Sequence, residues 1–384
     1  MKIEETFTAP TVHEMRGRVS RLQDALGRYG LEAYICFSPA NILWLTNFAN
    51  FVHERPFILT VPKSGRPVFL VPFLELDHAV HRIAGDVELA TYAEFPAPEG
   101  QRWTDRFCDL LPDSGLVGVE DMLPGAMLRC IGERALPIDL VDRLREVKSD
   151  YELGRIAYGC RLLSEAHSDL LAKARPGLSQ SEINLSIGKS LHAKIAADNP
   201  SINPLATSIM TLIQNAEVSH DPHNFTDLDM KMLPGGPHVT VFNSVLNGYG
   251  AEIERTFFLG AVPEEAKGPY ETMMEARSIC FERTRAGNLM GDIDREVNAL
   301  FDKRGFSSAR RHRAGHGMGV TSHEGPFLAD GDEGVIKKGM VFTLEPGIYI
   351  PGVGGFRHSD TVVATDHGPV CLTEAPDALN ELTI

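Results

Sequence analysis

The sequence of 384 residues lacks closely spaced pairs of cysteines. Its six cysteines are Cys36, Cys108, Cys130, Cys160, Cys280 and Cys371. Because no CxxC pair occurs, the sequence indicates neither a disulfide framework nor a zinc site built from cysteines. We therefore expect reduced thiols in a reducing compartment.

Long apolar runs and an excess of basic residues are also missing. No segment approaches the length of a membrane span, and the first ten residues, MKIEETFTAP, lack the apolar core of a signal peptide. The 37 Lys and Arg residues stand against 52 Asp and Glu residues, so the formal net charge is -15. This charge argues against a nucleic-acid partner, because a phosphate backbone requires a basic face. We expect a cytoplasmic protein that acts on a small molecule and binds neither nucleic acid nor a membrane.

The first part of the chain has the pattern of an α/β domain. Apolar residues recur at helical spacing over residues 12–30 and stop at Gly30, a residue that often follows a helix. Short runs rich in β-forming residues follow, among them LEAYICFS, PFILTVP, PVFLVP and LVGVE. They alternate with helical patterns, which favours an α/β fold.

The pattern changes near residue 147, where we place a domain boundary between residues 1–147 and 148–384. Ser149 and Ser179 each precede an acidic turn and predict the starts of two long helices. A third helix is predicted over residues 264–286. The remainder of this half is rich in strands that glycine and proline interrupt, including HVTVFNSV, AEIERTFFLG, GMVFTLEPGIYI and DTVVAT.

Three glutamates of this half are candidates for a site. Strand alternation in AEIERT places Glu252 and Glu254 on the same face, where two carboxylates repel unless a cation lies between them or water surrounds them. The alternatives are a solvent-facing strand edge and a pair of carboxylates that binds a cation, either a metal ion or a guanidinium-like group. Glu345 lies in an apolar strand and therefore requires a partner.

Two histidines lie in a glycine-rich setting. His316 is flanked by glycines in GHGMG, and His323 follows seven residues later in a His-Glu dipeptide. Glycine allows a backbone to approach a ligand closely, so we expect both histidines to contact the substrate.

The order of these motifs resembles the creatinase/prolidase/methionine-aminopeptidase ("pita-bread") family. The resemblance rests on GYGAEIERT, GHGMG followed by HE, TLEPGIYIP and GGFRHSD, and it covers nearly the whole chain. It implies an α/β (α+β) fold with a creatinase-type N-terminal domain and a C-terminal pita-bread catalytic domain.

The resemblance also implies a set of metal ligands that this chain retains only in part. Metal-dependent members bind two ions through two Asp, one His and two Glu. Glu252, His316 and Glu345 occupy three of these positions, whereas Val241 and Ser359 occupy the other two. A dinuclear centre is therefore not expected. A single ion held by the three remaining residues stays open as an alternative.

The metal-free, creatinase-like branch of the family provides the main hypothesis. By resemblance, His223 is the general acid/base, although a role in substrate contact is also open. Glu254 and Glu345 would bind a planar cationic C–N group of the substrate, and Glu252 would shape this pair or tune His223. Arg55, in HERPF, would bind a substrate carboxylate across the interface of a homodimer.

These residues predict a metal-independent, cofactor-free hydrolase of a C–N bond in a small guanidino, amidine or amide substrate that carries a carboxylate. The first alternative is a metal-dependent Xaa-Pro dipeptidase or aminopeptidase with an incomplete, mononuclear site. The second is a non-catalytic, peptidase-like binding domain.

Overall fold

The computed structural model describes residues 3–51, 54–199, 201–225 and 227–384. The chain divides into two compact units. One unit comprises Thr8–Arg145, and the other comprises the N-terminal segment up to Phe7 together with Glu146–Ile384. The architecture confirms the predicted mixed α/β fold.

The Thr8–Arg145 unit is built around one sheet. Its helices are α1 (Val12–Tyr29), α2 (Pro39–Thr46), α3 (Leu76–Arg82), α4 (Trp103–Asp109), α5 (Gly125–Ile131) and α6 (Leu140–Arg145). Its strands are β1 (Leu31–Cys36), β2 (Ile58–Pro62), β3 (Val68–Pro72), β4 (Glu88–Tyr92), β5 (Leu116–Val119) and β6 (Ala135–Pro137). They form a mixed sheet in the order β4-β3-β2-β1-β5-β6, in which β1 runs antiparallel to β2 and parallel to β5.

Helix α1 confirms the prediction made from its periodicity. The Thr11 side chain accepts a hydrogen bond from the backbone of Glu14 and caps the N-terminus. Gly30 ends the helix in the left-handed conformation, with φ 67°, which glycine adopts at little cost.

The second unit contains the other helices and strands. Its helices are α7 (Asp150–Lys173), α8 (Gln180–Asp198), α9 (Glu264–Arg283) and α10 (Met290–Arg304). Its first strands are β7 (Thr211–Gln214), β8 (Gly235–Leu246), β9 (Tyr249–Glu254), β10 (Thr256–Leu259), β11 (Gly315–Gly317) and β12 (Glu324–Leu328). The remaining strands are β13 (Val341–Leu344), β14 (Gly347–Ile350), β15 (Gly354–Arg357), β16 (Ser359–Thr365) and β17 (Gly368–Cys371).

Helices α7 and α8 begin as the sequence predicts. In each case a serine and a glutamate three residues later exchange side-chain and backbone hydrogen bonds, at Ser149 with Glu152 and at Ser179 with Glu182. These capping boxes satisfy N–H groups that the first helical turn leaves unpaired. Helices α9 and α10 pack on the sheet through an apolar cluster that includes Met273, Phe301 and Phe342.

The main sheet brings distant motifs together. Its order is β10-β8-β9-β16-β13-β11-β12, with β7 paired to β8 and β17 paired to β16. Strands β9, β16, β13 and β11 are therefore consecutive neighbours, although they span more than 100 residues of sequence. Strands β14 and β15 form a separate two-stranded ribbon.

The segment AEIERTFFLG, predicted as one strand, forms two strands separated at Arg255. The Arg255 side chain is buried and donates to Asp360 Oδ1 (2.9 Å) and to the Ser359 carbonyl (3.0 Å). Its backbone N–H donates to the Thr240 hydroxyl (2.8 Å). Side-chain bonding thus replaces part of the strand ladder at this residue.

None of the helices in the described part of the chain combines the length and apolar character needed to cross a bilayer.

Candidate active site

Three glutamate carboxylates meet in the interior of the second unit. Oxygens of Glu252, Glu254 and Glu345 lie within 4.8 Å of one another. The first two side chains are only 2–4% exposed and Glu345 is 12% exposed. Strand alternation therefore correctly predicts that Glu252 and Glu254 share a face, and their burial excludes the solvent-facing alternative.

Burial raises the pKa of Glu252 and of Glu345 to about 8, and it also raises the pKa of Glu254, where the neighbouring Arg357 opposes it. Mutual repulsion adds to this effect, because Glu345 raises the pKa of Glu252 and Glu254 raises that of Glu345. The cluster therefore favours any positive charge that enters it.

His316 completes the cluster with a free lone pair. Its side chain is fully buried, and its Nδ1 bonds to the Gly317 carbonyl (3.0 Å), so Nδ1 carries the proton. Among the residues that the structure describes, Nε2 has no hydrogen-bond partner. It lies 3.3 Å from Glu345 Oε1 and 3.8 Å from Glu252 Oε2. Burial, and next the neighbouring His323, lower the pKa of His316 to about 3, so its ring is neutral.

The glycines beside His316 are required by the close packing of strands. A Cβ atom on Gly315 would lie 2.1 Å from the Thr343 carbonyl oxygen, and one on Gly317 would lie 2.5 Å from the Gly325 carbonyl oxygen. Neither contact is sterically allowed. The GHG sequence therefore lets β11 approach its neighbours closely enough to place the imidazole among the carboxylates.

Glu252 is held by two hydrogen bonds from neighbouring strands. Asn243 Nδ2 donates to Oε2 (2.5 Å), and Ser359 Oγ donates to Oε1 (2.6 Å). Both bonds oppose the rise in the Glu252 pKa that burial causes. Ser359, at a position where the resemblance implies a ligand, therefore orients another ligand instead.

Glu254 is paired with a cation of the chain itself. Arg357 Nη2 donates to Glu254 Oε1 (3.0 Å), and Arg357 Nε lies against Oε2. Both side chains are buried. The predicted pairing of Glu254 and Glu345 with a cationic substrate group is therefore wrong for Glu254, because a guanidinium already occupies that carboxylate.

A buried hydrogen-bonded chain continues from this ion pair. Arg357 Nη1 donates to the Tyr349 hydroxyl (3.0 Å), which lies 2.7 Å from His312 Nε2. His312 Nδ1 bonds to the Arg313 carbonyl (2.8 Å), so Nδ1 carries the proton and Nε2 accepts from Tyr349. The chain connects Glu254 to the backbone just before the GHG motif.

The other two predicted histidines lie at the exposed side of the cluster. The His323 ring stacks on His316, with centroids 3.7 Å apart and planes 21° apart. Its pKa is lowered by burial, then by Arg313 and by His223. His223 is exposed in a turn where the Asn224 backbone donates to the Asp221 carbonyl (3.1 Å). The structure thus brings His223, His316 and His323 into one neighbourhood.

Arg55 belongs to the Thr8–Arg145 unit. Its Nε donates to Glu94 Oε1 (2.8 Å), its Nη2 pairs with the same oxygen (2.7 Å), and its Nη1 contacts Glu54. The side chain is 31% exposed. Two acidic neighbours of its own unit therefore already bind this guanidinium.

Five side chains of the site are not among the residues predicted from the sequence: Asn243, His312, Arg313, Tyr349 and Arg357. His312 and Arg313 lie three and two residues before the GHGMG motif, and Arg357 lies within GGFRHSD, so proximity to these motifs is the available signal. Tyr349 lies within the TLEPGIYIP motif, whereas Asn243 carries no comparable sequence signal, because only the strand register places it opposite Glu252.

The residues present fit one metal ion and do not fit two. Glu252, His316 and Glu345 offer two carboxylates and an imidazole whose lone pair is unsatisfied, a donor set suited to a first-row divalent ion. Val241 is a buried aliphatic side chain with no donor atom, and the Ser359 hydroxyl is bonded to Glu252. A second ion would therefore lack the ligands that the family resemblance implies.

Comparisons with known proteins identify two family regions. Residues 18–157 match the Creatinase/Prolidase N-terminal domain, and residues 154–366 match Metallopeptidase family M24. A Bacillus subtilis protein named "Putative dipeptidase YkvY" is 27% identical over 372 residues, which cover 94% of this chain and 99% of that protein.

Solved structures show the same fold. The prolidase from Thermococcus sibiricus superposes with a TM-score of 0.83 at 24% identity, covering 96% of this chain and 98% of that chain. The dipeptidase from Pyrococcus horikoshii gives a TM-score of 0.78 at 25% identity, covering 94% and 98%.

These findings correct the main functional hypothesis. The prediction of a creatinase-like, metal-independent amidinohydrolase is wrong, because the matching family is one of metallopeptidases and the similar proteins are named as dipeptidases and prolidases. The Arg357–Glu254 pair supplies the physical reason, since it removes one half of the proposed cation-binding pair. The chain belongs to metallopeptidase family M24, and its relatives named as dipeptidases support a hydrolase that acts on the C–N bond of peptides.

Proposed function

We propose that this protein is a metal-dependent dipeptidase of the Xaa-Pro type that works with a single divalent ion held by Glu252, His316 and Glu345. The family membership supports peptide hydrolysis, and the names of the similar proteins support a dipeptide substrate. The site is built from motifs that four neighbouring strands bring together.

One observation carries the proposal. The buried, unprotonated Nε2 of His316 faces carboxylate oxygens of Glu345 and Glu252 at 3.3 and 3.8 Å and has no hydrogen-bond partner in the described part of the chain. A lone pair and two carboxylates that converge in a buried space repel one another once the carboxylates are ionised. A divalent cation bound by all three groups removes this repulsion and satisfies the imidazole.

The protein's own residues provide orientation and proton transfer. When bound, a divalent ion at this position polarises a carbonyl oxygen and lowers the pKa of a water molecule. Asn243 and Ser359 fix the Glu252 carboxylate, and the bond from His316 Nδ1 to Gly317 fixes the imidazole plane.

His223, on an exposed turn, would transfer a proton to the departing nitrogen, the role that the family resemblance implies for it. Arg357 keeps the charge of Glu254 paired, so that Glu254 supports the site without binding substrate.

The proposal is tested by incubating the protein with Ala-Pro or Leu-Pro in the presence of Mn²⁺, Co²⁺ or Zn²⁺. Hydrolysis is measured as the release of free proline. We expect turnover that a chelator abolishes and that added ion restores. His316→Ala should lower kcat/KM by more than about 100-fold, because it removes a ligand rather than an outer-shell contact. His367→Ala, in the exposed turn between β16 and β17, is the matched control and should retain activity.

Absence of peptide hydrolysis with every ion, or full activity of His316→Ala, would refute the proposed function.

A homodimer in which Arg55 reaches the partner's site remains a proposal that the family resemblance supports. Because Glu54 and Glu94 already bind Arg55, a substrate carboxylate would have to compete with both of them. Analytical ultracentrifugation of the protein would test for the dimer. If the substrate carboxylate displaces Glu54 and Glu94 from Arg55, Arg55→Ala should raise KM.

A further inference from the structure

Arg313 lies at the candidate active site without a role in the functions described above. It precedes His316 by three residues and is half-buried. Its guanidinium packs on Phe327, the residue that lies opposite His316 in the pairing of β11 with β12, and its positive charge acts on Glu345, His316 and His323. A cation in this position affects whatever binds there.

The Arg313 guanidinium is unpaired. Within the described residues it makes no hydrogen bond and no ion pair, and its Nε is buried without an acceptor. An unsatisfied buried donor is unfavourable, and an acceptor on a ligand would satisfy it. The nearby arginines differ, because Arg357 is bound by Glu254 and Arg255 is bound by Asp360. Arg313 is therefore available to an external acceptor.

An aromatic ring orients this guanidinium. The Arg313 Cζ atom lies 4.5 Å from the centroid of the Phe327 ring, and the Phe327 side chain is 39% exposed. Packing of a guanidinium over an aromatic ring leaves its edge N–H groups available for hydrogen bonds. Two parallel N–H groups match the geometry of a carboxylate.

The backbone of Arg313 is fixed as well. Its carbonyl accepts from His312 Nδ1 (2.8 Å), and His312 is anchored through the Tyr349 hydroxyl to Arg357. The side chain thus extends from a rigid segment, so little conformational entropy is lost when a ligand binds.

We propose that Arg313 binds a carboxylate of the substrate and so restricts the enzyme to small peptides that carry one close to the scissile bond. This inference rests on the proposed dipeptidase function. The carboxylate can be the C-terminus of a dipeptide or an acidic side chain. Arg313 is a better candidate for this contact than Arg55, whose guanidinium is already bound by two glutamates.

Steady-state kinetics of the metal-loaded protein with three substrates test the inference and distinguish the two sources. The substrates are Ala-Pro, Ala-Pro-amide and Asp-Pro-amide. For the substrate whose carboxylate is bound, Arg313→Met should raise KM by about 50-fold with little change in kcat, as expected for loss of a charge-assisted bidentate contact. Arg313→Lys, which keeps the charge but not the paired donors, should show a smaller rise.

Arg311→Met removes an exposed arginine two residues away and is the matched control, with KM unchanged. Calorimetric titration with L-proline and with prolinamide gives a readout independent of turnover. Wild type should bind proline more tightly than prolinamide if the C-terminal carboxylate is recognised, and Arg313→Met should abolish that difference.

A selective rise in KM for Ala-Pro supports recognition of the C-terminus, and one for Asp-Pro-amide supports recognition of an acidic side chain. Equal effects of Arg313→Met on all three substrates, or no effect on any, would overturn the inference while leaving the dipeptidase function intact. Failure of wild type to cleave any of them would instead refute the dipeptidase function.

Discussion

At the scale of single residues, the site depends on which group lies next to each glutamate. Glu254 is paired with the Arg357 guanidinium, whereas Glu252 and Glu345 lie next to the lone pair of the His316 imidazole. Replacement of a carboxylate in such a site has opposite consequences in the two environments. Removal of Glu254 leaves a buried guanidinium unpaired, but removal of Glu252 relieves repulsion in the metal-free protein.

The raised pKa of Glu252 predicts the direction in which the free energy of unfolding changes with pH. Burial and Glu345 raise its pKa to about 8 in the folded protein, above the value of about 4.3 for an exposed glutamate. The stability that this group contributes is therefore fully present below pH 4 and is lost as pH rises through 8.

We compare wild type with Glu252→Gln in chelator. The free energy of unfolding of wild type should fall relative to the variant by about 3 kcal/mol between pH 5 and pH 8. Urea unfolding at several pH values measures the difference. Glu265→Gln, at an exposed position of α9, controls for loss of a surface carboxylate. A pH-independent difference for Glu252→Gln would contradict a raised pKa.

At the scale of elements, the ribbon of β14 and β15 connects the ion pair to the segment before β11. Arg357 ends β15, Tyr349 lies on β14, and His312 precedes β11. Their hydrogen bonds link three elements that are distant in sequence. The ribbon thus stabilises both Glu254 and the backbone of Arg313.

Tyr349→Phe tests this link. The substitution leaves Arg357 Nη1 and His312 Nε2 without their shared partner, and we expect a loss of about 2–4 kcal/mol in the free energy of unfolding, for two buried hydrogen bonds. Tyr270→Phe removes one bond, to the Asp377 carbonyl (3.0 Å), and should cost about 1 kcal/mol. Urea unfolding compares them. Equal losses would show that the hydroxyl of Tyr349 does not join the two groups.

Most elements are predictable because their signals are local. Gly30, Ser149 and Ser179 mark helix ends through bonds that form within a few residues. The break at Arg255 is not predictable from its neighbours, since it depends on Asp360 more than 100 residues away. Long-range pairing therefore limits what the sequence shows at this scale.

At the scale of the whole molecule, the predicted α/β fold and family are confirmed, whereas the predicted branch of the family is wrong. The candidate residues of the second unit are predictable because each of them lies in a short motif. The order of strands in the main sheet then brings these motifs together. The sequence does not show that Arg357 binds Glu254. Without this pairing, the Glu254 carboxylate would be available to a cationic substrate group. With it, the carboxylate is already neutralised by the protein. The metal-independent prediction rests on Val241 and Ser359 at two ligand positions and on Glu254 as a creatinase-like residue, and the family match overturns it.

The central claim is that the convergence of Glu252, His316 and Glu345 holds one divalent ion. Equilibrium dialysis of the chelator-treated protein against Mn²⁺, with metal and protein quantified by mass spectrometry and amino-acid analysis, tests it most directly. We predict one ion per chain in wild type and none in His316→Ala, with one retained in His367→Ala. Two ions per chain in wild type, or undiminished binding in His316→Ala, would contradict the claim.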